Sequence, residues 1–140
     1  IFYSPLYSCR STLRSKQNNF VISYNHKIMK RIEAIIPSNR LNLVVSAIEE
    51  TSVTGITIIE SKGRGKGARP ALRSSRGTST QIAEYNNLAT IITIVEESRV
   101  NQIIDAILNI ASTGSSGDGK IFVSTVDEII DIQTKKKSLV

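Results

Sequence analysis

The sequence predicts an α+β fold built from two β-α-β units that follow one another along the chain. Two segments repeat apolar residues at the spacing of one helical face. These residues are Leu41, Val44, Val45 and Ile48 in the first segment, and Val100, Ile103, Ile104, Ile107, Leu108 and Ala111 in the second. Short runs rich in β-branched residues, which favour strands, flank both segments. This order is that of the ferredoxin-like βαββαβ sandwich, in which both helices cover one face of the sheet.

The first unit begins with a short apolar strand over residues 30–36. Pro37 ends this strand, because proline cannot donate to the hydrogen-bond ladder of a sheet. Ser38 is a favourable N-cap for the first helix, which is predicted to end near Ser52. Residues 56–60 then form the second strand.

The second unit contains a strand over residues 88–95, whose consecutive apolar residues indicate burial on both faces or at a subunit contact. Ser98 is predicted to cap the second helix. Residues 120–126 form the strand that follows this helix. Residues 129–133 predict one more short strand, at the edge of the sheet.

The segment between the two units, residues 63–87, shows neither helical nor strand periodicity. A loop of this length in a compact domain is usually functional or disordered. Six cations stand in this region with no acid between them: Lys62, Arg64, Lys66, Arg69, Arg73 and Arg76. They can neutralise the phosphates of a nucleic acid, but the block contains no aromatic residue on which bases would stack.

Composition limits the classes of function. The net charge of +6 permits nucleic acid or acidic surfaces as partners. Cys9 is the single cysteine and His26 the single histidine, which excludes a disulfide within the chain and argues against a zinc site. The sequence holds no Ser-His-Asp set, and adjacent glutamates such as Glu49 and Glu50 do not converge on one point. We therefore expect no enzyme activity, and no apolar run is long enough to cross a membrane.

A glycine-rich loop over residues 113–119 opens directly into the strand that begins at Lys120. The spacing from Gly114 through Gly119 to Lys120 satisfies most of the Walker A pattern, but Ile121 replaces the required serine or threonine. A Walker loop also runs from strand to helix, whereas this one runs from helix to strand. Two readings are left: a phosphate cradle without Walker chemistry, or a glycine-rich turn that only joins two elements.

The same stretch, TGSSGDGKIFV, resembles the C-terminal signature of the PII nitrogen-signalling family, where it is called the B-loop and binds the phosphates of ATP or ADP. Residues 29–36 resemble the family's first strand, and residues 53–65 resemble its second strand running into the family's T-loop. The resemblance therefore implies a PII-like domain at residues 29–134, with the T-loop at about 63–87 and the B-loop at 113–120.

What this resemblance implies about function is specific. In the family, three subunits pack their sheets around a central axis, so a homotrimer is expected. Adenine nucleotides, ATP or ADP and in this chain also AMP, would bind in the clefts between subunits. Each T-loop would project from the body to control a partner protein, a membrane transporter or a metabolic enzyme of nitrogen metabolism. Neither nucleic-acid binding nor membrane insertion is implied, and the expected compartment is the cytoplasm.

Carried over by position, the resemblance assigns residues to three parts of the nucleotide site. These are Gly117, Asp118, Gly119 and Lys120 at the phosphates, Gly55, Thr57 and Ile94 at the adenine end, and Gly65 and Lys66 at the base of the T-loop. On residue type alone, Thr57 is equally well explained as an ordinary strand threonine.

The chain departs from the family on the last strand, where two arginines usually reach the phosphates. Asp131 and Gln133 stand at those positions. An aspartate facing a triphosphate is repulsive, so we expect ADP or AMP to bind at least as tightly as ATP. The family also uses a glutamine at the T-loop base to help hold magnesium-bound 2-oxoglutarate. Here Lys66 and Gly67 follow Gly65, so 2-oxoglutarate is expected to have little influence.

The T-loop lacks the family's Arg-Gly-Ala-Glu-Tyr motif with its modified tyrosine. Arg76-Gly77 and Ala83-Glu84-Tyr85 are both present but separated, which places Tyr85 at the exit of the loop. The candidate modification sites are Tyr85, Ser74, Ser75, Ser79 and Thr80. Serine and threonine are also ordinary loop residues, so this assignment stays open.

Residues 1–28 and 135–140 lie outside the PII-like part. The N-terminal segment is rich in serine and basic residues and contains no acid, a composition that resembles an organelle transit peptide. A translated upstream extension and a disordered tail are the competing readings, and only a transit peptide would make the protein organellar. Residues 135–140 are expected to be a basic tail.

Two alternatives to a PII-type regulator stay open at this point. One is a nucleic-acid-binding protein that uses the basic loop, whose affinity would fall steeply with salt. The other is a ferredoxin-like trimeric interaction module that has lost nucleotide binding.

Overall fold

The computed structural model describes residues 27–74, 77 and 79–139. Residues 1–26 of the predicted N-terminal extension therefore lie outside the described part. Over the described residues the elements are β1 (Met29–Pro37), α1 (Leu41–Glu50), β2 (Thr57–Gly63), β3 (Ala71–Arg73), β4 (Thr80–Ile82), β5 (Asn86–Glu96), α2 (Val100–Ala111), β6 (Lys120–Val126), β7 (Glu128–Ile130) and β8 (Lys137–Leu139).

The main sheet is antiparallel and has the order β2-β5-β1-β6. β1 pairs with β5 on one side and with β6 on the other, and β2 pairs with β5. This register brings the last residues of β1 and β2, Pro37 and Gly63, to the same end of the sheet as Asn86 and Lys120, which begin β5 and β6. We call this end the loop end, because both long loops leave from it. The arrangement confirms the predicted βαββαβ order.

The core lies between the sheet and the two helices. Alternate residues of β1 point toward the helices, and Ile32, Ala34 and Ile36 are at most 1 % exposed. They form one apolar cluster with residues from both helices, among them Ile48 and Ile107. The residues of β1 that point to one side of the sheet pack against buried residues of both α1 and α2. Both helices therefore cover the same face of the sheet. The described residues include no helix long and apolar enough to span a membrane.

Leu108 is an exception to the predicted helical face, because 47 % of it is exposed. It lines a cavity of about 360 Å³ together with Ile104 and Ile121. β6 is the edge strand of the sheet, so this margin of α2 extends past the area that the sheet covers. The helical period alone cannot show where the covering layer stops.

The opposite face of the sheet carries apolar residues that no helix of the described chain covers. On this open sheet face, Phe122 is 50 % exposed, Ile59 48 % and Ile94 38 %, and the partly buried Ile92 lies between them. β5 is therefore apolar on both faces, as its consecutive apolar residues predicted. An exposed apolar surface of this kind marks an interaction surface.

Neither predicted N-cap serine caps a helix. Ser38 and Ser98 lie in short 3₁₀ turns, and α1 and α2 begin only at Leu41 and Val100. The backbone N–H of Leu41 donates to the carbonyl of Ser38. This tight turn satisfies a donor that a serine side chain would otherwise satisfy, which is why the two caps were mispredicted.

Two arginines tie each helix to the end of the other. Arg40 precedes α1, and its Nη1 donates to the carbonyl of Ile110 in α2 at 3.3 Å. Arg99 precedes α2 and donates to the carbonyls of Thr51 and Ser52, just after α1. A cation near the C-terminus of a helix satisfies free carbonyls and interacts favourably with the helix dipole. The two helices therefore stabilise each other at both ends.

The C-terminal segment does not extend the main sheet. Strand β7 pairs with β8 in a separate two-stranded sheet, so the predicted edge strand over residues 129–133 is wrong. The carboxylate of Asp131 accepts hydrogen bonds from the backbone N–H and the hydroxyl of Thr134, at 2.7 and 3.0 Å. These bonds close a turn where the prediction continued a strand. Strand β8 also occupies part of the expected basic tail.

The T-loop segment contains a hairpin, which its lack of periodicity did not predict. β3 pairs with β4, with Ala71 opposite Ile82 and Arg73 opposite Thr80. Each strand has three residues, so neither is long enough to show an alternating pattern.

We expect Arg99→Ala to lower the free energy of unfolding by about 1–2 kcal/mol, because the carbonyls of Thr51 and Ser52, just after α1, lose their cationic donor. Chemical denaturation followed by circular dichroism measures the change. Arg64→Ala is the matched control, since Arg64 is an exposed T-loop arginine, and it should stay within about 0.5 kcal/mol of the unmodified protein. Equal stability of the two variants would show that the arginine cap contributes nothing.

Candidate ligand site at the glycine-rich loop

The glycine-rich loop requires glycine for steric reasons at its exit. Gly114, Gly117 and Gly119 all have positive φ, at +77°, +106° and +111°. A Cβ on Gly119 would lie 1.9 Å from the carbonyl oxygen of Ile35. The backbone of the loop therefore runs directly against β1, and no other residue fits at this position.

Asp118 closes the loop on itself. Its carboxylate accepts hydrogen bonds from the backbone N–H of Thr113 at 2.7 Å and from the Thr113 hydroxyl at 2.5 Å. These bonds, the hydroxyl's first, lower the pKa of Asp118, so it is ionised at neutral pH. Asp118 thus shapes the loop through its side chain, and the phosphate contact assigned to it stays a prediction.

The base of the T-loop packs on the glycine-rich loop through Gly67. A Cβ on Gly67 would lie 3.0 Å from the Cα of Gly117 and 3.1 Å from the carbonyl oxygen of Ser116. By contrast, a Cβ on Gly65 would meet nothing within 4 Å, and Lys66 is exposed. The phosphate contacts predicted for Gly65 and Lys66 stay predictions, and the T-loop base meets the glycine-rich loop at Gly67.

A cavity of about 750 Å³ opens between these two loops at the loop end of the sheet. It is lined by the turn after β1, the base of the T-loop, the start of β5 and the glycine-rich loop: Pro37, Ser38, Asn39, Gly67, Ala68, Arg69, Pro70, Asn86, Asn87, Leu88, Ser116 and Gly117. Its size is typical of small-molecule sites. Of the predicted site residues, only Gly117 lines it.

Sequence reasoning missed most of the polar lining of this cavity. Asn39, Asn86 and Asn87 each stand next to a strand end that the sequence predicted approximately. Arg69 was noted only as one of the basic T-loop residues. The available signal was that polar residues follow or precede strands whose ends meet at one edge of the sheet.

The residues predicted for the adenine end lie before β2, on β2 and on β5, away from the edge strand β6 that the glycine-rich loop enters. Thr57 begins β2 and pairs with Ile92, which places it diagonally from Ile94 on the open sheet face. The carbonyl of Gly55 accepts a hydrogen bond from the Thr93 hydroxyl at 2.8 Å. Within one chain, therefore, the structure brings these three predicted residues near one another but not near the glycine-rich loop.

Lys120 is placed to attract an anion. It is exposed, begins β6 and pairs with Ile35. Its Nζ makes no salt bridge to an acid in the described part of the chain, whose ion pairs involve Lys27, Lys30, Arg31 and Lys137. Its charge is thus free to meet a ligand from outside the chain. No group of three or more metal-ligating side chains is found among the residues that the structure describes.

The candidate modification sites are exposed where the structure describes them. Tyr85 is 45 % exposed and directly precedes β5. Ser74 and Ser79 join the hairpin strands, and the N–H of Ser74 donates to the carbonyl of Ser79 at 3.0 Å; Thr80 begins β4. Ser75 lies outside the described residues.

Comparison with known proteins agrees with the resemblance seen in the sequence. Residues 29–136 match the model of the family described as "Nitrogen regulatory protein P-II". The chain is 39 % identical over 111 residues to the nitrogen regulatory protein P-II of Azospirillum brasilense, a match that covers 78 % of this chain and 96 % of that protein. It is 37 % identical over 113 residues to the corresponding protein of Rhizobium meliloti, covering 79 % and 97 %. For Synechocystis the identity is 36 % over 111 residues, covering 78 % and 96 %.

These matches extend over nearly the whole length of each relative and include both the glycine-rich loop and the T-loop segment. PII regulatory proteins are signal transducers and not enzymes, so the expectation that the chain lacks enzyme activity is confirmed. The fold, the loop that Gly119 sets against β1, and the extent of these matches lead to one conclusion: the chain belongs to the nitrogen regulatory protein P-II family.

Proposed function

We propose that this protein is a homotrimeric signal transducer that binds an adenine nucleotide in the clefts between its subunits. Through its T-loop it controls a partner protein, a membrane transporter or a metabolic enzyme of nitrogen metabolism. The observation that carries the proposal is the packing of Gly67 on Gly117. Because of this contact, the ligand loop and the effector loop share one cavity wall. The expected cytoplasmic or organellar compartment stays a prediction.

The distribution of the predicted site residues supports an assembly. Lys120 and the glycine-rich loop stand at the edge strand β6, whereas Thr57 stands on the opposite edge strand β2, with β5 and β1 between them. A neighbouring subunit can bring a second set of these residues to the same small molecule. The apolar open sheet face supplies a surface for such packing, and a closed ring would cover it.

The charges at the site support a nucleotide with few phosphates. Lys120 and the N–H groups of the glycine-rich loop attract phosphate oxygens. Hydrogen bonds from Thr134 lower the pKa of Asp131, so its carboxylate is ionised at neutral pH. If the C-terminal segment approaches a neighbouring site, this carboxylate repels each added negative charge. We therefore propose that ADP or AMP binds at least as tightly as ATP.

The geometry at Gly67 also supports a weak response to 2-oxoglutarate. The family's glutamine is absent here, and Gly67 packs against the backbone of Gly117. A larger residue at Gly67 would need this contact to shift by several tenths of an ångström. The T-loop base therefore touches the glycine-rich loop where other members would present a side chain to the metabolite.

A nucleotide can bias the T-loop only by contacting it differently in two conformations. A ligand that fills the cavity would meet both residues 67–70 and the Ser116–Gly117 segment. It would lose its contacts with residues 67–70 if the T-loop base moved away. Nucleotide binding should therefore favour the conformation in which the base of the T-loop stays against the body.

The assembly is tested by multi-angle light scattering at micromolar concentration, and we expect a trimer. Phe122→Glu places a charge on the open sheet face and should dissociate the trimer. Leu43→Glu is the matched control, because Leu43 is 57 % exposed and lies on α1, away from that face. A stable monomer of the unmodified protein, or a Phe122→Glu variant that stays trimeric, would contradict the proposal.

The nucleotide site is tested by calorimetry with ATP, ADP and AMP. Lys120→Ala should weaken ADP binding by about 1.5–3 kcal/mol, because a charge-assisted contact to phosphate is lost. Lys27→Ala is the control of equal charge, since Lys27 pairs with Glu96 at the far end of the sheet, and it should leave the affinity unchanged. Unchanged affinity in Lys120→Ala would mean that the glycine-rich loop is not the site.

The T-loop is tested by limited trypsin digestion. We expect rapid cleavage after Arg64, Lys66 and Arg73, because this segment is exposed and acts as a loop that a partner orders. ADP should slow cleavage, and further 2-oxoglutarate with magnesium should change it little. Strong extra protection by 2-oxoglutarate would show that the missing glutamine was misread. Resistance of residues 64–76 would show that the segment is packed structure.

A further inference from the structure

Arg69 carries the charge of the 750 Å³ cavity. Of the twelve residues that line it in the described part of the chain, Arg69 is the only one with an ionisable side chain. The cavity therefore has a net positive charge, with no carboxylate in its lining to neutralise it. Such a cavity selects an anion and disfavours a cation or a metal ion.

The remaining polar lining fits a ligand with several oxygen atoms. The lining residues Asn39, Asn86 and Asn87 carry amides, and Ser38 and Ser116 carry hydroxyl groups, all of which can donate hydrogen bonds. A guanidinium adds a planar fork of N–H donors that matches two oxygens of one phosphate. One cation among neutral donors is the composition of a phosphate-binding site.

The backbone on either side of Arg69 is held in place. Two residues before it, Gly67 packs on Gly117, and one residue after it, the carbonyl of Pro70 accepts a hydrogen bond from the N–H of Ala83 at 2.8 Å. Ala83 is 9 % exposed, so this second anchor is protected from water. Arg69 therefore loses less conformational freedom on binding than an arginine at the tip of a loop.

We propose that Arg69 binds the terminal phosphate of a nucleoside diphosphate whose phosphate chain lies on the glycine-rich loop. This inference rests on the proposed nucleotide site and adds a specificity residue to it. Ser116 and Gly117 of the glycine-rich loop line the same cavity as Arg69. The second phosphate thereby joins the T-loop base to the body, so the diphosphate, and not the nucleoside, sets the position of the loop.

The test compares Arg69→Gln with Arg73→Gln. Arg73 lies four residues further along, on β3, and does not line the cavity, so the two variants have equal charge. Calorimetry uses ADP, AMP, adenosine and pyrophosphate as separate probes. We expect Arg69→Gln to weaken ADP about tenfold to a hundredfold, to reduce the preference for ADP over AMP, and to leave adenosine unchanged. Arg73→Gln should bind every probe as the unmodified protein does.

Two further measurements are needed. One separates the charge of Arg69 from the geometry of its guanidinium, and the other separates ADP binding from the position of the T-loop base. Arg69→Lys keeps the charge but loses the fork, so its affinity for ADP should be intermediate. Trypsin cleaves poorly before proline, so Arg69→Gln removes no effective cleavage site. In Arg69→Gln, ADP at saturating concentration should no longer protect the bonds after Arg64 and Lys66 from trypsin.

A separate outcome concerns the identity of the ligand. If the unmodified protein binds pyrophosphate as tightly as ADP, the ligand is a free diphosphate.

The outcomes distinguish the two proposals. An unmodified protein that binds none of the adenine nucleotides contradicts the proposed function itself. If the unmodified protein binds ADP and the two glutamine variants bind it equally, whether both strongly or both weakly, the role of Arg69 is overturned and the nucleotide site stands. Circular dichroism and light scattering on each variant check that the fold and assembly are retained.

Discussion

The close approach of the glycine-rich loop to β1 determines the path of the chain into β6 and the position of the T-loop base. A Cβ on Gly119 would lie 1.9 Å from the Ile35 carbonyl oxygen, so the loop can follow this path only because glycine has no side chain. The path brings the chain from the end of α2 into β6 with Lys120 opposite Ile35. It also sets the backbone of Gly117 where the base of the T-loop can reach it.

That second contact brings the glycine-rich loop and the base of the T-loop together. Gly67 packs on Gly117, and the cavity beside them is lined by both loops. The bonds between Asp118 and Thr113 keep the glycine-rich loop closed without using the groups that face the cavity. Under the proposed function, a ligand that contacts both walls would favour the conformation in which the T-loop base stays against the body.

The helical layer shows how the two β-α-β units support each other. Each helix follows a 3₁₀ turn that ends in an arginine, and each arginine donates to carbonyls at the end of the other helix. This reciprocal capping holds the helices antiparallel over one face of the sheet. The other face, with Phe122 and Ile94, is covered by no helix of the described residues.

Features that depend on local spacing could be predicted from the amino-acid sequence. The helical faces follow from period 3.6, the strand at residues 120–126 was predicted with its observed bounds, and the glycine spacing indicated the loop with positive φ. Tertiary structure decided the features that depend on distant partners. The true starts of the helices, the β7–β8 pairing, and the cavity that joins Asn86 and Arg69 to Gly117 all require strand register to bring remote segments together. The physical reason is that periodicity reports which side of an element is buried, whereas only the packed sheet determines what lies across from its ends.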